Sequence, residues 1–436
     1  MRAEDLDLVR REPHLPGMAL LIDPRRFAER LSRDLPGLTS IQGPTYLRHK
    51  PGTSCIAAFE VAGDGEATPL YAKAFRPADR AKRLKAMRRA GGPSQQLLDW
   101  DEAEIVVCAF PIDLELATLA ALHAPPERDT LLRKVLGSAA AGLRGRLVPL
   151  HHRPERRFVG RLEGVERDAA IKLHTAARFV SAKPAAKAFA SRDQLLVPRM
   201  LGRSHRHGVV VSEWIVGGPL GALQLDPGAA FDACRTIGAA LAVLHAQVPA
   251  KLRPRDRTEI GRRVLAVLAY LRELLPARAA RLESVGRRLA DTAFGLPAAS
   301  SGIHGDFHPG QVLLRGDVVA ILDLDDAVVG NPADDLGNFI AHLERAASKP
   351  SGPTSLPDPT MAREALLTGY GAAGVALQVD LATAAALFLL APHPFRAREP
   401  DWPDRIEDLL LRVDALLSRA AGGRAGIGRG ATGGAR

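Results

Sequence analysis

The feature that most constrains this chain is that one plan occurs in it twice. Residues 46–77, YLRHKPGTSCIAAFEVAGDGEATPLYAKAFRP, and residues 148–176, VPLHHRPERRFVGRLEGVERDAAIKLHTA, run in parallel. Each begins with His-Lys/Arg-Pro: His49, Lys50 and Pro51 in the first, His152, Arg153 and Pro154 in the second. An alternating strand, a polar turn and a second strand carrying a lysine follow, Lys73 in one and Lys172 in the other. Alternation across a Gly/Asp turn predicts an antiparallel hairpin in both places. Each hairpin leads into a helical stretch, DRAKRLKAMRRA (79–90) or SAKPAAKAFASRDQ (181–194), and then an apolar strand, EIVVCAFPI (104–112) or GVVVSEWIV (208–216). The expectation is two copies of one small β-rich lobe.

From about residue 222 the period changes to that of helices, as in PGAAFDACRTIGAALAVLHAQVP (227–249). Short apolar strands with acidic turns are expected over 303–314 and 318–343, a surface loop over 348–360, helices over 361–392 and 404–420, and a basic glycine-rich tail at the end. At 436 residues the chain is long enough for two or three cored lobes.

Cys55, Cys108 and Cys234 lie far apart with no C-x-x-C spacing, which argues against a disulfide framework or a zinc knuckle and for a reducing cytoplasm. No apolar run reaches the roughly 18 residues of a membrane span, so no membrane partner is expected. The formal charge of +10 favours anionic partners. Its arginines are spread over helical stretches such as GRRVLAVLAYLRELLPARAARLESVGRRLA, as on a solvated face, and no aromatics are interleaved with them as in a nucleic-acid stripe.

The chemistry concentrates in HGDFHPGQVLL (304–314) and ILDLDDAVVGNPADDLG (321–337). Phosphoryl transfer needs a lysine on phosphates, oxygen ligands for magnesium and a carboxylate at the acceptor. Asp306 precedes the apolar strand QVLL, Gln311 follows five residues later with a side-chain oxygen to offer, and Asp323 sits behind a second apolar strand. His304-x-Asp306-x-His308 is also a metal-ligand spacing of the kind hydrolases use. Asp325 and Asp326 read equally well as a solvated turn, His151 and His152 as strand-surface residues, and Trp214 and Trp402 as packing residues. Lys73 suits a structural or substrate-capping role, and Arg396 and Arg398 suit an anionic substrate.

Together these motifs resemble the paired signature of the aminoglycoside phosphotransferase and choline kinase superfamily, at His304, Gly305, Asp306, His308, Asp323, Gly330, Asn331, Pro332, Asp335 and Leu336. The resemblance covers about 148–420. It implies an α+β, protein-kinase-like bilobal fold, with a β-rich and duplicated N-lobe and a mainly helical C-lobe. The lobes would be 1–125 (a second copy of a kinase N-lobe), 145–218 (nucleotide-binding), 219–420 (helical and catalytic) and a disordered tail over 421–436.

It also implies a phosphotransferase using Mg2+ and ATP or GTP on a small-molecule hydroxyl acceptor such as a sugar, amino sugar or amino alcohol. Asp306 would be the catalytic carboxylate, braced by His304 and His308, with Asp335 holding backbone amides. Gln311 and Asp323 would hold metal, Lys172 would meet the nucleotide phosphates, and the backbone at Glu213, Trp214 and Ile215 would hold the base. Gln311 stands where the pattern has asparagine. No glutamate follows Lys172 within 181–194, which motivates the alternative of a pseudokinase that holds nucleotide without turnover.

Overall fold

The computed structural model describes residues 2–63, 67–91, 96–143, 145–181, 188–247, 249, 251–256, 258–294, 301–348, 356–371 and 376–430. The chain divides into two compact units. The first comprises Met1–Val180, Met200–Trp214 and His393–Pro403, and the second comprises Ser181–Arg199, Ile215–Pro392 and Asp404–Arg436.

In the first unit β1 (Ser40–Lys50), β2 (Ser54–Ala62), β3 (Thr68–Ala74), β4 (Leu97–Trp100) and β5 (Ile105–Ala109) form a five-stranded sheet of order β1-β2-β3-β5-β4. A second five-stranded sheet contains β6 (Leu147–Arg153), β7 (Arg157–Leu162) and β8 (Ala169–His174). After β9 (Leu195–Leu196), which belongs to the other unit, it adds β10 (Met200–Ser204) and β11 (Val209–Glu213). Its order, β6-β7-β8-β11-β10, repeats that of the first sheet strand for strand.

The register repeats as well. Arg48, Ile56, Lys73 and Val106 lie in one cross-strand row, and His151, Val159, Lys172 and Val210 lie in the matching row. The two lysines therefore occupy equivalent positions, as the duplicated lobe requires. One departure concerns the helix after the lysine. The first copy has it over Arg80–Ala90; in the second the described residues show Ala176–Ser181 as helix and 188–194 as non-helical, and residues 182–187 of the expected helix lie outside the described residues.

Each sheet buries one face, because side chains alternate along a strand. Ile56, Tyr71, Val106 and Cys108 form a core with Ile112 and Leu114. Phe158, Ile171, Leu173, Val209 and Val211 form another with the helical residues Leu119, Leu131 and Leu132.

Several polar residues of this unit turn out to be structural. Lys73 Nζ lies 2.8 Å from both oxygens of Glu155, which assigns it the structural side of the two roles expected. His152 is more than a strand-surface residue, since its Nε2 lies 2.9 Å from Asp113 Oδ2. Arg398 forks onto the buried Asp5 at 3.0 and 2.7 Å, so it is not available to an anionic substrate as anticipated. Trp402 is fully buried, edge-on to Phe395 at 5.0 Å.

The second unit is mainly helical. Three of its helices start in one way, with an acid or amide cap followed by proline: Asp226 before Pro227–His245, Asn331 before Pro332–Ala347 and Asp358 before Pro359–Tyr370. The cap's oxygen satisfies an otherwise orphaned N–H, while proline has none to satisfy. Leu241, Leu244, Phe307, Leu336, Phe339 and Leu366 share one core. Short strands lie against the helices. β12 (Gly218–Pro219) pairs with β14 (Val312–Arg315), β14 with β15 (Val318–Ile321), β15 with β9, and β13 (Ser301–Ile303) with β16 (Val328–Gly330). Of the expected loop over 348–360, residues 349–355 lie outside the described residues. The last helix runs Trp402–Gly430, through the start of the expected tail, and residues 431–436 lie outside the described residues. No helix among the described residues is long and apolar enough to cross a membrane.

Candidate active site

Two strand ends in the second unit build the site. β13 delivers residues 304–308, and the open end of the β14–β15 hairpin carries Gln311 just before β14 and Asp323 just after β15. The N–H of Leu322 donates to the carbonyl of Gln311 at 2.9 Å, extending the Val312–Ile321 pairing by one step, so that Asp323 emerges beside the glutamine.

His304 ties the loop to that hairpin. Its Nε2 lies 2.8 Å from the carbonyl of Leu322, and its Nδ1 accepts the N–H of Asp306 at 3.3 Å. A carbonyl only accepts and an amide N–H only donates, so the ring is the neutral Nε2–H tautomer. His304 is thus a brace and is fully buried. His308 accepts the N–H of Gly310 on Nδ1 at 3.1 Å and stacks on His342, ring centres 4.6 Å apart.

Beneath the loop lies Asp335, in the first turn of the helix Pro332–Ala347 and 1% exposed. Its Oδ2 accepts from the N–H of His304 at 2.6 Å and from His245 Nε2 at 2.9 Å, and its Oδ1 accepts from the N–H of Gly305 at 2.9 Å. Burial alone would raise the pKa of this carboxyl. The hydrogen bond and charge of His245, together with the Gly305 N–H, more than reverse that and hold it below the usual value. Tyr370 supports His245 from behind, with its hydroxyl 2.9 Å from Nδ1.

Gly305 has φ +85°, and a Cβ there would collide with the carbonyl oxygen of Asp326. Arg255 reaches the same residue from outside, donating to the Gly305 carbonyl at 3.3 Å and to Asp334 Oδ2 at 2.8 Å. Asp334 is pushed up to about 6 by burial, with Arg255 acting against the rise. Asn338 donates to the carbonyl of Phe307 at 2.9 Å.

Asp306 itself is exposed. Protein crowding around its carboxyl raises its pKa; the like charges of Asp326 and Asp323 push it further up, and the Arg263 charge pulls it down. Asp323 takes the left-handed conformation, φ +61° and ψ 51°, which a side chain other than glycine adopts at a cost. The bend turns the chain from β15 into the turn Leu324–Asp326.

The donor set suits magnesium. Gln311 Oε1 is a buried oxygen with no hydrogen-bond partner among the described residues, and a buried amide oxygen left so is costly unless something else meets it. Among the described residues no three His, Cys, Asp or Glu side chains gather as a metal cage. Magnesium at phosphates needs only one or two protein oxygens, the rest coming from phosphate and water.

The structure brings His304, Asp306, His308, Gln311 and Asp323 into one unit, whereas Lys172, Glu213 and Trp214 belong to the other and Ile215 resumes the second. Lys172 lies mid-strand in β8, opposite Val159 and Val210. Glu213 ends β11, and residues 214–217 leave the sheet unpaired by strands. Sequence reasoning missed His245, Arg255, Asn338 and His342, which reach the loop through the fold. The one available signal was His245 itself, a polar residue closing a long apolar helix.

The sequence model of the phosphotransferase enzyme family matches residues 154–387, more than half of the chain, and the chain belongs to that family. The first sheet lies ahead of the matched span. Among solved structures, a choline/ethanolamine kinase family protein from Mesorhizobium loti is 19% identical, with 68% of this chain and 97% of that one covered at a TM-score of 0.45. A thermostable mutant of the aminoglycoside phosphotransferase APH(4)-Ia is 15% identical, covering 64% and 96% at 0.48. Spectinomycin phosphotransferase APH(9)-Ia is 13% identical, covering 68% and 97% at 0.44. No curated protein matches the chain.

Proposed function

We propose that this protein is a cytoplasmic small-molecule kinase that moves the terminal phosphoryl group of ATP or GTP to a hydroxyl of a sugar, amino sugar or amino alcohol. The observation that carries the reading is the joining of the Asp306 loop to the Asp323 turn through His304, in a chain of the phosphotransferase family. The three free cysteines are all buried, in keeping with a reducing compartment.

In this reading Asp306 orients the acceptor's oxygen and takes its proton as the new O–P bond forms and the bond to the leaving diphosphate breaks. Gln311 and Asp323 hold Mg2+, which when bound offsets charge on the phosphates. Lys172 contacts the phosphates, and the backbone of Glu213, Trp214 and Ile215 holds the base. His304 and His308 keep Asp306 in place. Positioning of this kind contributes most of the rate in phosphoryl transfer.

The test is transfer from Mg-ATP or Mg-GTP to a panel of sugars and amino alcohols. Asp306→Asn and Asp323→Ala are expected to lower kcat by at least about 100-fold. Undiminished transfer in both variants overturns the assignment. Nucleotide that raises Tm without any product supports the binding-only alternative instead.

A further inference from the structure

Arg48 and Lys50 lie two residues apart on β1 and so share one face. Lys73 is on the same face, in the row that runs from Arg48 through Ile56. The tip of the β6–β7 hairpin meets this face. Arg48 donates to the carbonyl of Pro154 at 3.3 Å and to Glu155 Oε2 at 3.1 Å, while Lys73 grips both Glu155 oxygens. Glu155 is buried, with φ +56°, and its N–H is held by Asp113 Oδ2 at 2.9 Å.

The charges of this cluster do not balance. Glu155 is shared by Arg48 and Lys73. Asp113 is engaged by His152 and backbone N–H groups, and Glu12 by His49 and the N–H of Gly52. Lys50 and Arg156 are both exposed, and neither has a carboxylate in ion-pair range among the described residues. Partial burial, then Arg48, Lys73 and Arg156, hold the Lys50 ammonium below its usual pKa; partial burial, then Arg48, Arg396 and Arg153, do the same to Arg156. Uncompensated cations around a buried acidic anchor make a rigid floor with free donors at its mouth. A guanidinium fork beside an ammonium suits a tetrahedral dianion.

We propose that Lys50 and Arg156, above the Arg48–Glu155–Lys73 floor, bind the phosphate group of a small molecule at a site distinct from Lys172. The site lies where the tip of the β6–β7 hairpin meets the first sheet and does not depend on the kinase reading.

Thermal-shift titrations with inorganic phosphate and with glucose 6-phosphate, at constant ionic strength against chloride and without nucleotide or magnesium, test it. A saturable rise in Tm with either probe is expected; a response to both marks the phosphate group itself, and a response to the ester alone marks a phosphorylated metabolite. Lys50→Ala/Arg156→Ala is expected to weaken the apparent Kd by at least about tenfold, two charged hydrogen bonds being lost. Lys50→Gln and Arg156→Gln, which keep most of each stem, are expected to weaken it singly, and Lys172→Ala is expected to leave it unchanged. No rise beyond chloride, an unchanged Kd in the double and both single variants, or loss in Lys172→Ala overturns the proposal.

Discussion

Asp335 accepts the backbone N–H of His304 at 2.6 Å, the shortest of the hydrogen bonds it receives, so a fully buried carboxylate sets the path of the loop two residues before Asp306. The same His304 then turns its ring to the carbonyl of Leu322. Through these two residues, the N-terminal turn of one helix governs both the Asp306 loop and the approach to Asp323.

Strong acid should undo this clamp. The folded pKa of Asp335 lies below its unfolded value, so its stabilisation is complete above the ordinary carboxylate pKa of about 3.9 and is lost as pH falls through the depressed folded value. Asp335→Asn should therefore be less stable at neutral pH, by about 3 kcal/mol, and show a shallower fall in stability below about pH 4. Urea unfolding at a series of pH values checks this; parallel profiles for the two proteins would refute it.

Gly305→Ala should disturb the loop without adding or removing a charge. The methyl meets the carbonyl oxygen of Asp326, and the backbone conformation at φ +85° disfavours a side chain. A loss of about 2 kcal/mol in stability is expected, with a larger proportional loss in kcat than in substrate affinity. Unfolding curves and steady-state kinetics on one preparation read both.

Glu155→Gln should cost about 3–5 kcal/mol, because it strands Lys73 and Arg48 with little solvent to receive them. Adding Lys73→Met should recover part of the loss. A double variant no more stable than Glu155→Gln alone would show that the ion pair is not what binds the hairpin tip to the first sheet.

At Gln311 the expected sign is reversed. Its buried side-chain oxygen lacks a partner among the described residues, so Gln311→Leu should raise the Tm of the metal-free protein while removing stabilisation by Mg2+ with nucleotide. Thermal melts with and without Mg2+ and a non-hydrolysable nucleotide decide it. Stabilisation by Mg2+ that survives the substitution would remove Gln311 from the metal's shell.

The repeat was legible because it lives in local pattern. Strand alternation and the turn residues between hairpins are written within thirty residues, and the lysines Lys73 and Lys172 take matching registers in two sheets of one strand order. The motif residues at 304–311 and 321–337 were legible too, since a strand end and a capped helix place them within short chain distances. What sequence could not disclose were contacts between segments far apart in the chain. Lys73 and Glu155 are 82 residues apart, His245 and Asp335 are 90, and Asp5 and Arg398 are 393.

Sequence alone therefore determined the kinds of element, their repeat and the chemical groups at the loop, because backbone preferences and side-chain period act over a few neighbouring residues. Only the tertiary structure decided which charges neutralise which. An ion pair or a buried hydrogen bond forms wherever folding removes water from two groups at once, and chain order does not encode that. This is why Lys73 became a structural residue and Arg398 an anchor for Asp5, and why Asp335 stands as the support of the Asp306 loop.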